Sequence, residues 1–273
     1  MNKREFVKGL ILFFPAAGLL RALGRELDAA PAGAPGAAGK ESGSTGPGAE
    51  PAGGTPAKAY DADSHYYGMG IEVDKCIGCS RCVEACKAEN DVPREPFFFR
   101  TWIERYDIKR NGEVLVESVN APSKKPPEVA PDDRDVIRSF FVPKLCNNCA
   151  NPPCVQVCPV GATFATKDGV VLIDKERCIG CRYCIQACPY GARYLDPRTK
   201  TADKCTFCYH RVVKDLLPAC VEVCPTQARI FGDLKSRASR LVRFQRMNRI
   251  HVLKPALNTE PKVYYAQLDG EVR

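Results

Sequence analysis

Sixteen cysteines lie between Cys76 and Cys224, in four groups of four. The first is Cys76, Cys79, Cys82 and Cys86, and the second is Cys146, Cys149, Cys154 and Cys158. The third is Cys178, Cys181, Cys184 and Cys188, and the fourth is Cys205, Cys208, Cys220 and Cys224. Every group opens with Cys-x-x-Cys and closes with Cys-x-x-x-Cys, and all but the first end in Cys-Pro. Groups one and three follow the bacterial ferredoxin run for a four-iron cubane cluster. Group two widens the middle gap to four residues and group four to eleven. Sulfur at this density must be crosslinked or metal-bound.

Three thiolates in one tight loop can cap three irons of a cube, and the fourth cysteine, three residues on, points at a neighbouring cube. Gly78 and Gly180 stand where the backbone must pass close to sulfide without a Cβ, leaving amides free to bond sulfur. Proline after the last cysteine redirects the chain, and Ile77 and Ile179 beside the first cysteines would keep water off the clusters. Structural zinc closes with four ligands from two knuckles and does not explain a compact run that occurs twice. Disulfides among four neighbours in an eleven-residue run would be strained. Tyr209 intervenes between Cys208 and His210, so covalent haem is not indicated.

The elements that must position these thiols follow from the links between groups. Groups two and three are 19 residues apart, and that link holds a strand pattern around the turn Lys167-Asp168-Gly169. They form one compact dicluster unit, leaving groups one and four to pair across it. The 59 residues between groups one and two read as strands over Phe97 to Tyr106 and Val114 to Val119, with a hairpin turn at Asn111-Gly112 and an exposed loop from Pro122 to Asp135. This insertion is either a docking surface or a lid over the clusters. Ser236 to Ile250 predicts a short helix with Leu241, Phe244 and Met247 inward and five arginines without an acid. Its basic face is either simply solvated or docks to a partner or to anionic lipid. His65, His210 and His251 are isolated, and His210 is assigned a supporting place beside the cysteines.

Near the N-terminus the sequence reads Asn2-Lys3-Arg4-Glu5-Phe6-Val7-Lys8, followed by an apolar run from Gly9 to Leu20. That layout is one of an export signal, and it resembles the twin-arginine motif with Lys3 in place of the first arginine. An uncleaved amphipathic anchor is the alternative. The run is shorter than the roughly 20 residues of a spanning helix, which excludes a polytopic membrane protein. From Ala29 to Ala59, 23 of 31 residues are Ala, Gly or Pro, a composition that predicts a flexible tether. Formal charge is +8 over 273 residues. Four oxidised clusters with their thiolates contribute about −2 each, so the basic composition mostly compensates buried clusters and does not indicate nucleic acid. Glycine-rich nucleotide loops and nucleophile motifs are lacking.

Between about Tyr67 and Asp233, and most closely at Cys146-Asn147-Asn148-Cys149-Ala150-Asn151-Pro152-Pro153-Cys154 and Cys178-Ile179-Gly180-Cys181-Arg182-Tyr183-Cys184, the chain resembles a known family. This comprises the four-cluster iron–sulfur subunits of complex iron–sulfur molybdoenzymes, among them the polysulfide, thiosulfate, tetrathionate and dimethyl sulfoxide reductases, and the iron–sulfur protein of formate-dependent nitrite reduction. The resemblance implies four 4Fe-4S clusters with interleaved ligands. Cluster one would take Cys76, Cys79, Cys82 and Cys224, and its partner Cys205, Cys208, Cys220 and Cys86. The third would take Cys146, Cys149, Cys154 and Cys188, and the fourth Cys178, Cys181, Cys184 and Cys158. Group one departs from the pattern by ending Cys86-Lys87.

The resulting expectation is an α+β fold of two interleaved ferredoxin-like dicluster units with a β-hairpin insertion. The segments are 1–28 signal or anchor, 29–59 tether, 60–96 with 201–235 as one unit, 97–145 insertion, 146–200 as the second unit and 236–273 a basic C-terminal segment. The resemblance further implies an electron-transfer subunit, not itself catalytic, and the export motif predicts a place on the periplasmic side of the cytoplasmic membrane. The pair formed by groups one and four would face a molybdopterin-type catalytic subunit, and the pair formed by groups two and three a polytopic quinone-binding membrane subunit. The alternatives are a multihaem cytochrome as partner, or a freely diffusing exported polyferredoxin. Insertion of clusters in the cytoplasm agrees with a twin-arginine route, which moves folded cargo.

Overall fold

The computed structural model describes residues 60–94, 98–118 and 135–272. The export motif, the tether and nearly all of the expected exposed loop, residues 122–134, lie outside them. The elements in chain order are β1 (Tyr67–Glu72), α1 (Arg81–Glu89), β2 (Thr101–Lys109), β3 (Val114–Ser118) and β4 (Val136–Leu145). There follow α2 (Pro153–Gln156), β5 (Thr163–Ala165), β6 (Val171–Ile173), α3 (Tyr183–Gln186), β7 (Arg193–Leu195) and β8 (Ala202–Lys204). The chain continues through α4 (Tyr209–Val212), α5 (Ala219–Glu222), β9 (Arg229–Asp233), α6 (Arg240–Met247), β10 (Ile250–His251) and β11 (Val263–Ala266). Helices and mostly antiparallel sheets together give the expected α+β class.

Helix length tracks the residue after each closing cysteine. Proline at 159, 189 and 225 follows the four-residue helices α2, α3 and α5, because it cannot donate to a continuing turn. In group one Lys87 stands in its place, and α1 runs for nine residues. Asn90 caps its C-terminus, with Nδ2 donating to the Cys86 carbonyl at 3.0 Å. Helix α1 packs on α5, and α2 on α3. Those contacts bring group one to group four and group two to group three.

β1 holds the centre. Tyr67, Met69 and Ile71 point into the main core with Val83, Ile103, Val142 and Tyr265, each buried apolar side chain contributing roughly 1.5–3 kcal/mol. The intervening Gly68 and Gly70 give room for α6, since a Cβ at Gly70 would lie 2.8 Å from the Phe244 ring. β1 pairs antiparallel with β9 and parallel with β11, so the basic C-terminal segment supplies two strands of the central four-stranded sheet. Leu241 and Phe244 of α6 are buried, but Met247 is 70% exposed. The expected inward stripe therefore stops one turn short, with Leu241 and Phe244 packed over Gly68 and Gly70 of β1 and Met247 at the rim of an open cleft with Glu72 and Ile230.

The insertion is a three-stranded sheet, β3-β2-β4, with its turn at the expected Asn111-Gly112, where Gly112 has φ 84°. β2 begins at Thr101 rather than Phe97, which lies outside the described residues. β5 and β6 form the hairpin expected between groups two and three. Its turn residue Asp168 is fully buried and accepts bonds from the hydroxyls of Tyr60 and Tyr209.

Candidate iron–sulfur centres

All four Cys-x-x-Cys loops share one backbone device. The residue before the second cysteine has positive φ in each: Gly78 at 70°, Asn148 at 41°, Gly180 at 69° and Phe207 at 54°. The turn lifts that residue's amide toward the first sulfur. Asn148 N lies 3.5 Å from Cys146 Sγ, and Phe207 N 3.4 Å from Cys205 Sγ. Gly78 donates likewise to Cys76. At both glycines the protein itself also crowds the Cβ position. A Cβ at Gly78 would lie 2.6 Å from the Phe141 ring, and one at Gly180 2.4 Å from the Lys200 carbonyl. Phe207 adopts the left-handed turn in spite of its side chain and is held there by burial.

The closing cysteines share a second device. Beyond Cys158, the amides of Thr163, Val160 and Ala162 converge on its sulfur, so that although burial pushes the thiol up, it ends below the usual range. At Cys224 burial is likewise outweighed, here by the Thr226 hydroxyl and the amides of Ala228, Arg229 and Thr226. Amides of Ala192 and Tyr190 bond Cys188, where burial still prevails. Donors of this kind stabilise thiolate and tune a bound cluster.

Three foursomes line cavities. Cys146, Cys149, Cys154 and Cys188 line one. Cys76, Cys79, Cys82 and Cys224 line a second. Cys86, Cys205, Cys208 and Cys220 line a third. In each, one cysteine comes from another sequence group, so the groups interleave in space. Cys178, Cys181, Cys184 and Cys158 lie around the packed helices α2 and α3, with Ala202 N 3.4 Å from Cys178 Sγ. Cys79 and Cys181 are exposed, whereas Cys82, Cys86, Cys146, Cys149, Cys154, Cys184, Cys205, Cys208 and Cys220 are buried.

The donor set fits cubane clusters better than single ions. A tetrahedral ion with bonds of about 2.3 Å needs thiolates within about 4 Å of one another. Among the described residues no three His, Cys, Asp or Glu side chains converge in that way. Sulfurs spread around a cavity suit a larger inorganic core. Buried polar atoms border the same cavities without protein partners: both side-chain atoms of Asn147, Nε of Arg193 and Nη1 of Arg229.

Cationic side chains are the feature that cysteine spacing did not announce. Arg193 is buried, and its Nη2 lies 3.0 Å from Cys154 Sγ. Arg229 is buried beside the Cys76 cavity, with Nη2 2.8 Å from Thr101 Oγ1. Lys204 is fully buried, and its Nζ donates to Asn148 Oδ1 at 3.2 Å and to the Cys205 carbonyl at 2.7 Å. The signal for the arginines was present in the repeated Cys-Pro-x-x-Ala-Arg, at Cys188 to Arg193 and at Cys224 to Arg229.

Ile103 of β2 and Pro143 of β4 line the Cys76 cavity, so the base of the insertion walls it. Ile77 borders that cavity but is 59% exposed, and Ile179 is 66% exposed. Both therefore stand at the surface rather than sealing a site inside it. His210 pairs with Glu89 at 2.7 Å on the surface and not with a cysteine sulfur, because α4 turns its ring toward the end of α1. His65 pairs with Asp233 at 2.8 Å.

Two family models match the chain, both described as a 4Fe-4S dicluster domain, over residues 75–162 and 137–234. The chain is 44% identical over 217 residues to the tetrathionate reductase B subunit of Salmonella typhimurium, covering 79% of this chain and 78% of that protein. It is 37% identical over 206 residues to the polysulfide reductase B chain of Wolinella succinogenes, covering 72% and 92%. It is 38% identical over 215 residues to protein NrfC of Escherichia coli, covering 78% and 86%. With two dicluster matches and sixteen cysteines, the chain carries four 4Fe-4S clusters.

Proposed function

This protein belongs to the family of iron–sulfur electron-transfer subunits of respiratory reductases, and on that premise we propose that it relays electrons between a quinone-binding membrane subunit and a catalytic subunit. Each bound cluster supplies a centre that takes up and returns one electron. The foursomes assigned to the clusters are Cys76, Cys79, Cys82 and Cys224; Cys205, Cys208, Cys220 and Cys86; Cys146, Cys149, Cys154 and Cys188; and Cys178, Cys181, Cys184 and Cys158.

The observation that carries the reading is the contrast in exposure along this series. The two inner foursomes are largely buried, while each outer one brings a cysteine to the surface, Cys79 and Cys181. A relay needs that layout, with an insulated middle and an accessible port at each end. Ile179 and Tyr183, both more than 60% exposed, make the Cys181 port apolar, which suits a permanent subunit interface. We assign it to the membrane partner. The Cys79 port faces the catalytic subunit, of molybdopterin type by analogy with the relatives named as reductase subunits. A multihaem cytochrome is the second reading, because the sequence also resembles the iron–sulfur protein of formate-dependent nitrite reduction.

The lysine-for-arginine export motif at Lys3-Arg4 supports a periplasmic location by the twin-arginine route, with the tether leading to the folded body. Purification of the full chain with its membranes tests the assignment. Co-purification of molybdenum and a polytopic subunit is expected, covalent haem instead would favour the cytochrome reading, and a lone soluble holoprotein would refute both.

A further inference from the structure

Three buried cations are placed between the cysteine sets rather than within them. Arg193 borders the Cys146, Cys149, Cys154 and Cys188 cavity, and its guanidinium bonds Cys154 and faces, in the next set, Cys184. Arg229 borders the Cys76 cavity and faces Cys220 of the neighbouring set. Lys204 lies between the two inner sets, one from each of these pairs. Its partner Asn148 lines the Cys146 cavity, and its other partner, the Cys205 carbonyl, belongs to a residue of the Cys86 cavity. Asn148 bonds across the same gap, with Nδ2 3.3 Å from the Cys146 carbonyl and 3.4 Å from that of Cys205.

These charges have no ordinary compensation. No carboxylate lies within 4.0 Å of the Lys204 ammonium or of either guanidinium among the described residues. The adjacent Asp203 is engaged by Arg100 at 2.9 Å. Moreover, Arg193 and Lys204 are directly opposed in the β7–β8 register, where like charges repel. Burying an unpaired ammonium is costly, and a pair of opposed cations costs more. Their direct partners include neutral oxygens, and the ionisable acids nearest all three are cysteine thiols of the flanking sets, so the compensating charge is that of the thiolate-bound clusters.

We propose that Arg193, Lys204 and Arg229 form a row of fixed cations, one at each junction of the relay, and that Lys204 sets the potentials on both sides of the gap between the two dicluster units. The proposal rests on the cluster assignments given under the proposed function. Lys204 favours the reduced state on either side, because added negative charge meets a cation already in place without reorganisation. Crossing the gap moves one electron, oxidising the donor side and reducing the acceptor side by one. No bond forms or breaks at Lys204. It acts as a positioning residue whose charge matters more than its volume.

The test is an EPR-monitored redox titration of full-length holoprotein carrying Lys204→Met, Lys204→Arg, Arg193→Met or Arg229→Met, each with iron and sulfide counted. Lys204→Met is expected to keep its iron and to lower two of the four potentials, and Lys204→Arg to restore them. Each arginine variant should also lower two. The pair moved by Lys204→Met should share one member with each arginine pair, while the arginine pairs share none. Unmoved potentials, or equal shifts in all four, would overturn the proposal. Loss of iron from both Lys204 variants would make the residue a packing element and overturn it as well. A native chain without iron would instead sink the functional assignment, so the two failures are distinguishable.

Discussion

Arg100 and Asp203 form a bidentate ion pair in the interior, with Nε 3.1 Å from Oδ2 and Nη2 2.9 Å from Oδ1. The pair fastens the start of the insertion to the β8 strand. Arg100 Nη1 also donates to Asn90 Oδ1 at 2.9 Å, and Asn90 Nδ2 lies 3.5 Å from Cys208 Sγ. Tyr194 donates to Asp203 at 2.7 Å. Removing one partner leaves a buried charge alone, which costs about 3–5 kcal/mol. Arg100→Met should therefore speed thermal bleaching of the cluster chromophore sharply. Replacing both partners by apolar residues should recover much of the loss. Equal lability of single and double variants would show that the pair is not coupled.

Interleaving makes a prediction about single cysteines. Cys188→Ala should disturb the set holding Cys146, Cys149 and Cys154, and leave Cys178, Cys181 and Cys184 with their cluster. Conversion to a three-iron centre or loss of about four irons per chain is expected. The check is which EPR signal disappears when Cys188→Ala is compared with Cys149→Ala. Different missing signals would contradict the pairing.

Two glycines with similar φ separate backbone strain from crowding. Gly180 and Gly161 have φ of 69° and 62°, but a Cβ meets the Lys200 carbonyl at 2.4 Å only at Gly180, with nothing within 4 Å at Gly161. Gly161→Ala should cost about 1–2 kcal/mol from the left-handed conformation alone. Gly180→Ala must also displace backbone, and cluster content should fall. Iron per chain in the two variants decides it, and equal iron in both would contradict the crowding argument.

Acid should favour loss of the clusters. Burial pushes the thiol of Cys205 up to about 12 and that of Cys220 up to about 11, with neighbouring sulfurs adding to the effect at Cys205. In the apoprotein these groups hold protons at neutral pH, while ligation requires thiolate. Cluster binding therefore releases protons, and affinity rises with pH up to those values and declines as pH falls. Iron retained after anaerobic incubation from about pH 5 to about pH 9 should increase monotonically. A flat profile would show that the thiols are already ionised before binding.

The cysteine groups, the β5–β6 hairpin and the Asn111-Gly112 turn were legible because each is encoded locally, in ligand spacing, strand alternation and turn chemistry. The shape of the central sheet was not. β11 pairs parallel with β1 across nearly two hundred residues, and no local pattern announces such a partner. Met247 continued the helical stripe in sequence, yet in the fold only Leu241 and Phe244 of that stripe are buried. Arg193 and Arg229 stand in a visible repeat, yet a cation there has no meaning until the fold sets it against sulfur. Lys204 could not be found at all without the fold, since its meaning lies in the two cavities on either side. The positive φ at Phe207 was hidden for a related reason, because an aromatic residue carries no turn signal of its own.

The central claim is that sixteen cysteines hold four clusters in one relay. Acid-labile sulfide and iron should each be about sixteen per chain, and full reduction of the purified holoprotein should take up about four electrons in one-electron steps. Zinc in place of iron, or iron near eight with half of the cysteines free, would contradict the account.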